Sequence, residues 1–234
     1  MSKLDEFFNE ITPSQLAKYI DHSLLKPDAV TSQYDKLCDE AVHFGFYSVC
    51  VNPAWVRHVA RKLDRTEIKI CSVISFPFGA MDSRSKANEV KNTIEYGANE
   101  LDMVINIGAL KSGDLKLVEE DINAVKFACG QDAILKVIIE TSMLTNAEKK
   151  LACELSKNAG ADFVKTSTGF SSAGASVEDV MLMRKVVGND MGVKASGGIT
   201  DFEKAVSMLK AGASRLGCGS SVAVISRNKS SNSY

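Results

Sequence analysis

The sequence predicts an α/β protein whose single domain closes into a (β/α)8 barrel of the TIM type, entered through a short N-terminal helix. Three observations carry that expectation. Apolar, often β-branched runs alternate with helical stretches eight times, and alternation of this kind implies a parallel sheet with right-handed crossovers. A loose repeat marks the units. Tyr96-Gly97-Ala98, Ala159-Gly160-Ala161 and Ala211-Gly212-Ala213 each close a helix shortly before a strand, and Phe44-Gly45-Phe46 is a looser copy. Glycine fits a left-handed helix end, and the short link suits an αβ connection. Finally, the length of 234 residues matches one such barrel, at about 200–250 residues. An open doubly wound sheet is the alternative. Its dinucleotide fingerprint is missing, because Gly217-Cys218-Gly219 lacks the third glycine and lies near the C-terminus. The domain is expected over residues 1–226, followed by a flexible polar tail over 227–234.

The elements follow in order. Thr12-Pro13-Ser14 opens a short helix through Lys18, and Tyr19 to His22 is a weak first strand. Helical spacing runs from Thr31 to Phe44 and stops at Gly45. Phe46 to Val51 is the second strand, after which Asn52-Pro53 is expected to cap a helix. Ile68 to Ile74 is the third strand, leading through Phe76-Pro77-Phe78-Gly79 to a helix over Arg84 to Tyr96. Glu100 to Asn106 is the fourth strand, and Gly113-Asp114 precedes a helix to Cys129. Ala133 to Glu140 is the fifth strand, with Thr145-x-x-Glu148 as a capping box behind it. The sixth and seventh strands carry Lys165 and Lys194. Ser176-x-x-Asp179 and Thr200-x-x-Glu203 start the helices after them. Ser214 to Gly217 is the eighth strand, and a short helix begins near Ser220.

Bulk properties exclude several classes. Net charge is −1, so no basic face is implied for nucleic acid or anionic lipid. The start, MSKLDEFFNE, has no apolar run of a secretory signal, and no stretch reaches the roughly 18 apolar residues of a membrane span. The six cysteines lie without a C-x-x-C pair, which points to reduced thiols in a cytoplasm. His22, His43 and His58 lack metal-ligand spacing, so no metal site is expected. Cys50 reads as a packed apolar residue, Trp55 and the methionines as core or interface, and Glu89 to Glu95 as a solvated helix face.

The chemistry gathers at Asp162-Phe163-Val164-Lys165-Thr166-Ser167-Thr168-Gly169 and Gly192-Val193-Lys194-Ala195-Ser196-Gly197-Gly198. Both read as an apolar strand, a lysine and a small polar turn. Lysines are rarely buried unpaired, and in a barrel the strand C-terminal ends share one mouth. Two ammonium groups aimed into one interior repel, and the simplest relief is loss of one proton. A neutral amine is a nucleophile, so Lys165 is a candidate Schiff-base lysine. An exposed strand-edge lysine is the plain alternative. Lys194 either tunes Lys165 or binds an anion such as phosphate. Asp102, isolated in Leu101-Asp102-Met103-Val104-Ile105-Asn106, either pairs with a lysine or relays a proton. Asp21, Asn52, Ser75, Asn106 and Glu140 also lie near strand ends. The glycines of Gly197-Gly198-Ile199 and Gly217-Cys218-Gly219-Ser220-Ser221, after strands seven and eight, are candidates for backbone phosphate binding.

Four segments carry a specific resemblance: Ile20-Asp21-His22-Ser23-Leu24-Leu25-Lys26-Pro27, Glu100 to Asn106, Phe163-Val164-Lys165-Thr166-Ser167-Thr168-Gly169-Phe170, and Val193-Lys194-Ala195-Ser196-Gly197-Gly198-Ile199. In order and spacing, from about Ile20 to Ile225, the chain resembles the deoxyribose-phosphate aldolases. The resemblance implies a cofactor-free, metal-free class I aldolase. Such an enzyme reversibly cleaves 2-deoxyribose 5-phosphate to glyceraldehyde 3-phosphate and acetaldehyde. It implies Lys165 as the Schiff-base lysine, Lys194 as the lysine that lowers its pKa, and Asp102 in proton transfer through water. Asp21, Thr168 and Gly169 match positions at the substrate, and Gly197, Gly198, Gly219, Ser220 and Ser221 match phosphate-binding segments. The implied partners are the sugar phosphate, acetaldehyde and further copies of the chain, as a homodimer or homotetramer. The loop Gly217-Cys218-Gly219-Ser220-Ser221 departs from the common Gly-Thr-Ser-Ser form. Some members place a C-terminal tyrosine in the site, whereas Tyr234 is read here as part of the tail. Another Schiff-base aldolase, or a non-catalytic sugar-phosphate binder, are the competing readings.

Overall fold

A computed structural model describes residues 7–227. The expected polar tail and Tyr234 lie outside the described residues, apart from Arg227. Eight parallel strands form a closed barrel in sequence order. They are β1 (Ile20–Leu24), β2 (Ser48–Val51), β3 (Lys69–Ile74), β4 (Glu100–Val104), β5 (Ile134–Ile138), β6 (Phe163–Lys165), β7 (Gly192–Ser196) and β8 (Arg215–Cys218). β8 pairs back onto β1 with His22 beside Cys218. The helices are α1 (Pro13–Ala17), α2 (Thr31–Phe44), α3 (Val56–Lys62), α4 (Ser83–Glu95), α5 (Ile107–Lys111), α6 (Leu115–Cys129), α7 (Asn146–Asn158), α8 (Val177–Val187), α9 (Phe202–Lys210) and α10 (Ser221–Ile225).

Strand side chains alternate between two faces, and this builds two different interiors. One face carries Val49, Val51, Leu101, Met103, Leu135, Val137, Val164, Val193 and Leu216 into the main apolar core with the helices. The other face points into the barrel and carries Asp21, Glu100, Asp102, Lys136, Lys165, Lys194 and Arg215, all buried. The inward direction follows from contacts between non-adjacent strands, such as Glu100 on β4 with Arg215 on β8, which can meet only through the middle. A second small apolar cluster, Leu25, Cys50, Cys71 and Val73 with Phe76 against it, lies apart from the main core.

Local signals mostly fall where the sequence places them. The repeat glycines Gly45, Gly97, Gly160 and Gly212 all have positive φ. Thr12, Ser176 and the Thr145–Glu148 box cap their helices as expected. Two caps differ. α9 is capped by Asp201, whose carboxylate accepts from the Lys204 N–H, and not by Thr200. Asn52 makes no cap bond; its amide donates to Leu25 O at 3.1 Å instead, tying β2's exit to β1's. The helix face around Glu89 is only partly solvated, because Glu89 leaves water to accept the Ser75 N–H at 2.8 Å. Next to it Lys86 is fully buried and donates to Asp121 and Val104 O, pinning α4 to α6 and β4.

Candidate active site

Lys165 ends β6 and Lys194 sits beside it in register on β7. The exits of these two strands are tied together. Thr166 Oγ donates to Ser196 O at 3.1 Å, the Ser196 N–H returns to Thr166 Oγ at 3.0 Å, and Ser196 Oγ donates to Ser167 O at 2.6 Å. The chain after β6 then folds over Gly197. Ala175 N–H is shared between Ser196 O and Gly197 O. A side chain at Gly174 would place its Cβ 2.1 Å from Gly197 O, so only glycine fits there.

The two lysines meet at one atom. Asp102 Oδ2 accepts from Lys165 Nζ at 2.8 Å and from Lys194 Nζ at 2.7 Å. Asp102 Oδ1 accepts from Lys136 Nζ at 2.8 Å and from the Cys71 thiol at 3.2 Å. Lys194 also donates to Asp21, Lys136 also pairs with Glu100 at 2.7 Å, and Arg215 spans Asp21 and Glu100 at 2.9 and 2.8 Å. Tyr47 lies under the Arg215 guanidinium, 3.5 Å from ring centre to Cζ. The result is a column of charge. It runs from the start of β4 and β8, where Glu100 and Arg215 sit, up to Lys165 at the mouth.

The electrostatics follow from that count. Fully ionised, the column would hold four cations (Lys136, Lys165, Lys194, Arg215) against three anions (Asp21, Glu100, Asp102), all buried. Burial pushes the Asp102 carboxyl up, but Lys136, Lys165 and Lys194 outweigh it and hold it well below the usual range. Asp21 behaves alike, with burial opposed by Lys194 and Arg215. Burial pulls Lys194 down, and Asp102 and Asp21 more than restore it, so its proton is held well above the usual lysine range. Lys136 is held the same way, chiefly by Asp102 against burial. Each of Lys136, Lys194 and Arg215 has two carboxylate partners, whereas Lys165 has one oxygen, shared with Lys194.

The remaining predicted residues lie around this column. Asp21 is beneath the mouth, fully buried, and takes Ser48 Oγ at 2.7 Å besides its cations. Thr168 is buried at the rim, its N–H and hydroxyl both given to Glu140 Oε2, at 3.2 and 2.5 Å. Glu140 holds this pose with a positive φ of 56°, costly for a non-glycine residue. Gly169, Gly197 and Gly198 have positive φ, and Lys204 Nζ lies 3.5 Å from where a Gly198 Cβ would be. Gly219 and Ser220 line a cavity of about 180 Å³ with Ser23, Leu25, Lys26 and Gln33. Ser221 is set apart: its hydroxyl is buried against His22 and Cys218 O. A larger depression of about 650 Å³ at Arg57, Arg61 and Tyr96 is lined by residues of α3 and the end of α4 and contains none of these groups.

Sequence reasoning missed Lys136, Glu100, Arg215 and Cys71. Lys136 carried the same signal as Lys165, a lone lysine in an apolar strand. Cys50 is packed and apolar as expected, yet it is also in register with Cys71 inside the barrel. The hydrogen bond with Cys71 outweighs burial and lowers the Cys50 thiol, while burial pushes Cys71 well up. Phe76, after β3, and Phe170, after β6, meet edge to face at 5.4 Å. Two residue groups bring metal-ligand atoms together among the described residues, Cys50–Cys71–Asp102 and Asp21–Cys71–Glu100. Their carboxylates already hold ammonium and guanidinium groups, which a metal would have to displace.

The pattern of the DeoC/LacD family aldolases matches residues 15–225. The chain belongs to this family. A deoxyribose-phosphate aldolase of Brevibacillus brevis is 57% identical over 216 residues, covering 92% of this chain and 97% of the relative. One from Lactococcus lactis is 55% identical over 220 residues, covering 94% and 100%. Among solved structures, the tetrameric deoxyribose phosphate aldolase of Aeropyrum pernix superimposes with a TM-score of 0.88 at 33% identity, covering 95% of each chain. The chain is therefore an aldolase, a carbon–carbon lyase on a TIM barrel. Among the described residues no helix is long and apolar enough to cross a membrane.

Proposed function

We propose that this aldolase reversibly cleaves 2-deoxy-D-ribose 5-phosphate to D-glyceraldehyde 3-phosphate and acetaldehyde through a Schiff base on Lys165, within cytoplasmic breakdown of deoxyribose phosphates. The observation that carries the reading is the single shared oxygen under Lys165. Among the four buried cationic side chains, the one least committed to a partner is the one with half an acceptor. Lys165 is that group, and it is also the one at the mouth. A neutral amine there is ready to attack an aldehyde.

The steps follow from that amine. Lys165 Nζ adds to C1 of the open-chain sugar, and loss of water leaves an iminium. A base removes the C3 hydroxyl proton, the C2–C3 bond breaks, and its electron pair moves through C2 toward the iminium nitrogen. Glyceraldehyde 3-phosphate leaves and an enamine remains. Protonation at C2 and hydrolysis release acetaldehyde and free the amine. The iminium nitrogen is the electron sink, so this route calls for no cofactor. Asp102, held anionic, fixes Lys165 and Lys194 against one oxygen, and Lys194 sets its charge beside Lys165. Asp102 takes part in proton transfer through water, as a hydrogen-bond acceptor that orients it. Thr168 and Gly169 lie at the rim where the sugar enters, and Gly197, Gly198, Gly219 and Ser220 offer backbone donors to the phosphate, with Lys204 nearby. Asp21 acts from below, through Lys194. By kinship with the tetrameric relative, the chain is proposed to self-associate as a dimer or tetramer, with residues 1–226 as the aldolase domain.

Product analysis tests the substrate. Incubation with 2-deoxyribose 5-phosphate should yield acetaldehyde and glyceraldehyde 3-phosphate together. Turnover of a different sugar phosphate, with 2-deoxyribose 5-phosphate left intact, would retain the chemistry and discard the substrate.

A further inference from the structure

His22 takes no part in the steps above, yet it is buried in the barrel wall with a partner at each ring nitrogen. It follows Asp21 on β1 and so points the other way, out of the barrel, with the ring buried and 4.9 Å from the Phe46 ring. Its Nδ1 lies 3.0 Å from Ser221 Oγ, and its Nε2 lies 3.0 Å from Glu40 Oε2 on α2. Ser221 Oγ also donates to Cys218 O at 2.9 Å. The Glu40 carboxyl is held low first by the bond to His22, against burial. The ring is thus held at both nitrogens. Glu40 also pairs with Lys36 one turn earlier at 3.6 Å, on the open side.

This chain of contacts reaches one piece of the mouth. Ser221 and Cys218 bracket Gly219 and Ser220, and His22 is paired in register with Cys218. Both ends of the Gly219–Ser220 turn are therefore tied to the same residue, one to the His22 backbone through the strand ladder and one to its imidazole through the Ser221 hydroxyl. On its other side the turn lines the cavity of about 180 Å³ shared with the loop after β1. Nothing in the clamp touches the lysine column, which lies on the opposite face of β1.

We infer that the Glu40–His22–Ser221 clamp is a positioning device for the Gly219–Ser220 turn, setting how tightly the enzyme holds the phosphate end of its substrate and leaving the chemistry at Lys165 alone. The inference rests on the proposed substrate and adds a residue pair to it. A backbone donor worth a charge-assisted bond loses most of its value when its turn is free to move.

The test compares two substrates, 2-deoxyribose 5-phosphate and unphosphorylated 2-deoxyribose, in the full-length protein. Wild type should prefer the phosphorylated one, and absence of any preference would sink the substrate reading itself. Given that preference, His22→Leu should raise KM for the phosphorylated substrate by about tenfold, the worth of one such bond, with kcat changed far less. The ratio of kcat/KM between the two substrates should fall by the same factor. Glu40→Gln keeps the ring in place and loses only the charge; it should move the ratio in the same direction by a smaller amount. It also serves if His22→Leu does not fold. An equal loss on both substrates, or a ratio unchanged in both variants, would overturn the inference.

Discussion

Lys165 and Lys194 stand in register on neighbouring strands and donate to the same carboxylate oxygen, Asp102 Oδ2, at 2.8 and 2.7 Å. The two are not equal partners. Lys194 has Asp21 as a second carboxylate, and Lys165 has no other ion-pair partner among the described residues. The sequence led to two repelling lysines with Asp102 near one of them. The structure puts the anion between them and adds two more cations below, so the repulsion acts through a shared, overcommitted carboxylate.

Replacing Lys165 by leucine should abolish turnover, by at least about 10⁴-fold in kcat/KM, the scale of losing a nucleophile. Lys165 has only a share in one carboxylate oxygen, so unfolding stability should change by less than about 1 kcal/mol. That expectation follows because every remaining buried cation keeps its carboxylates. Urea denaturation and steady-state kinetics on one preparation check both halves.

Lys194→Leu should behave differently. Asp21 and Asp102 lose a shared cation, and breaking a buried pair costs about 3–5 kcal/mol. Activity should fall about 10²-fold or more at neutral pH, and the acid limb of the pH–rate profile should move to higher pH. A profile with the wild-type limb would remove the tuning role.

Lys136→Met tests the part of the column that the sequence reading overlooked. Lys136 is the partner of both Asp102 Oδ1 and Glu100, and Glu100 already has one buried oxygen without a hydrogen bond. Losing it should destabilise by about 3–5 kcal/mol. A variant as stable as wild type would mean the column tolerates an uncompensated anion.

The column also sets the acid response. Asp21 and Asp102 are held below their usual value of 3.8. A depressed carboxylate stabilises the fold above its unfolded pKa, and that stability drains as pH falls toward the folded value. Lys136 and Lys194, held above 10.5, stabilise fully below that value and lose their contribution only far into alkali. Unfolding free energy should thus stay flat in these four groups from about pH 6 to 9. It should fall below about pH 4, with each carboxylate adding up to about 1.4 kcal/mol per pH unit. Asp102→Asn should show a shallower acid limb in urea titrations.

Much of this was legible in the chain. Strand patterning and the helix-closing glycines lead to eight units, and Lys165, Lys194 and Asp102 each stand out as charges in apolar strands. The rest depends on facts that single segments do not hold. Glu100 and Arg215 open their strands and look like edge charges, and only closure of β8 onto β1 sends them across the middle to each other. Lys136 looks like Lys165 until register sets it opposite Asp102. Thr200 fits the capping pattern as well as Asp201 does, and one residue of phase decides between them. Ser221 sits in a phosphate-loop motif, but its hydroxyl turns toward His22, a residue 199 positions away.

The central claim is that Lys165, and no other lysine of the column, is the nucleophile. Reduction with borohydride in the presence of acetaldehyde, followed by peptide mapping by mass, reads that directly. The account predicts an ethyl group on Lys165 and lost activity in step with its appearance. An ethyl group on Lys194 or Lys136, or inactivation without any modified lysine, would contradict it.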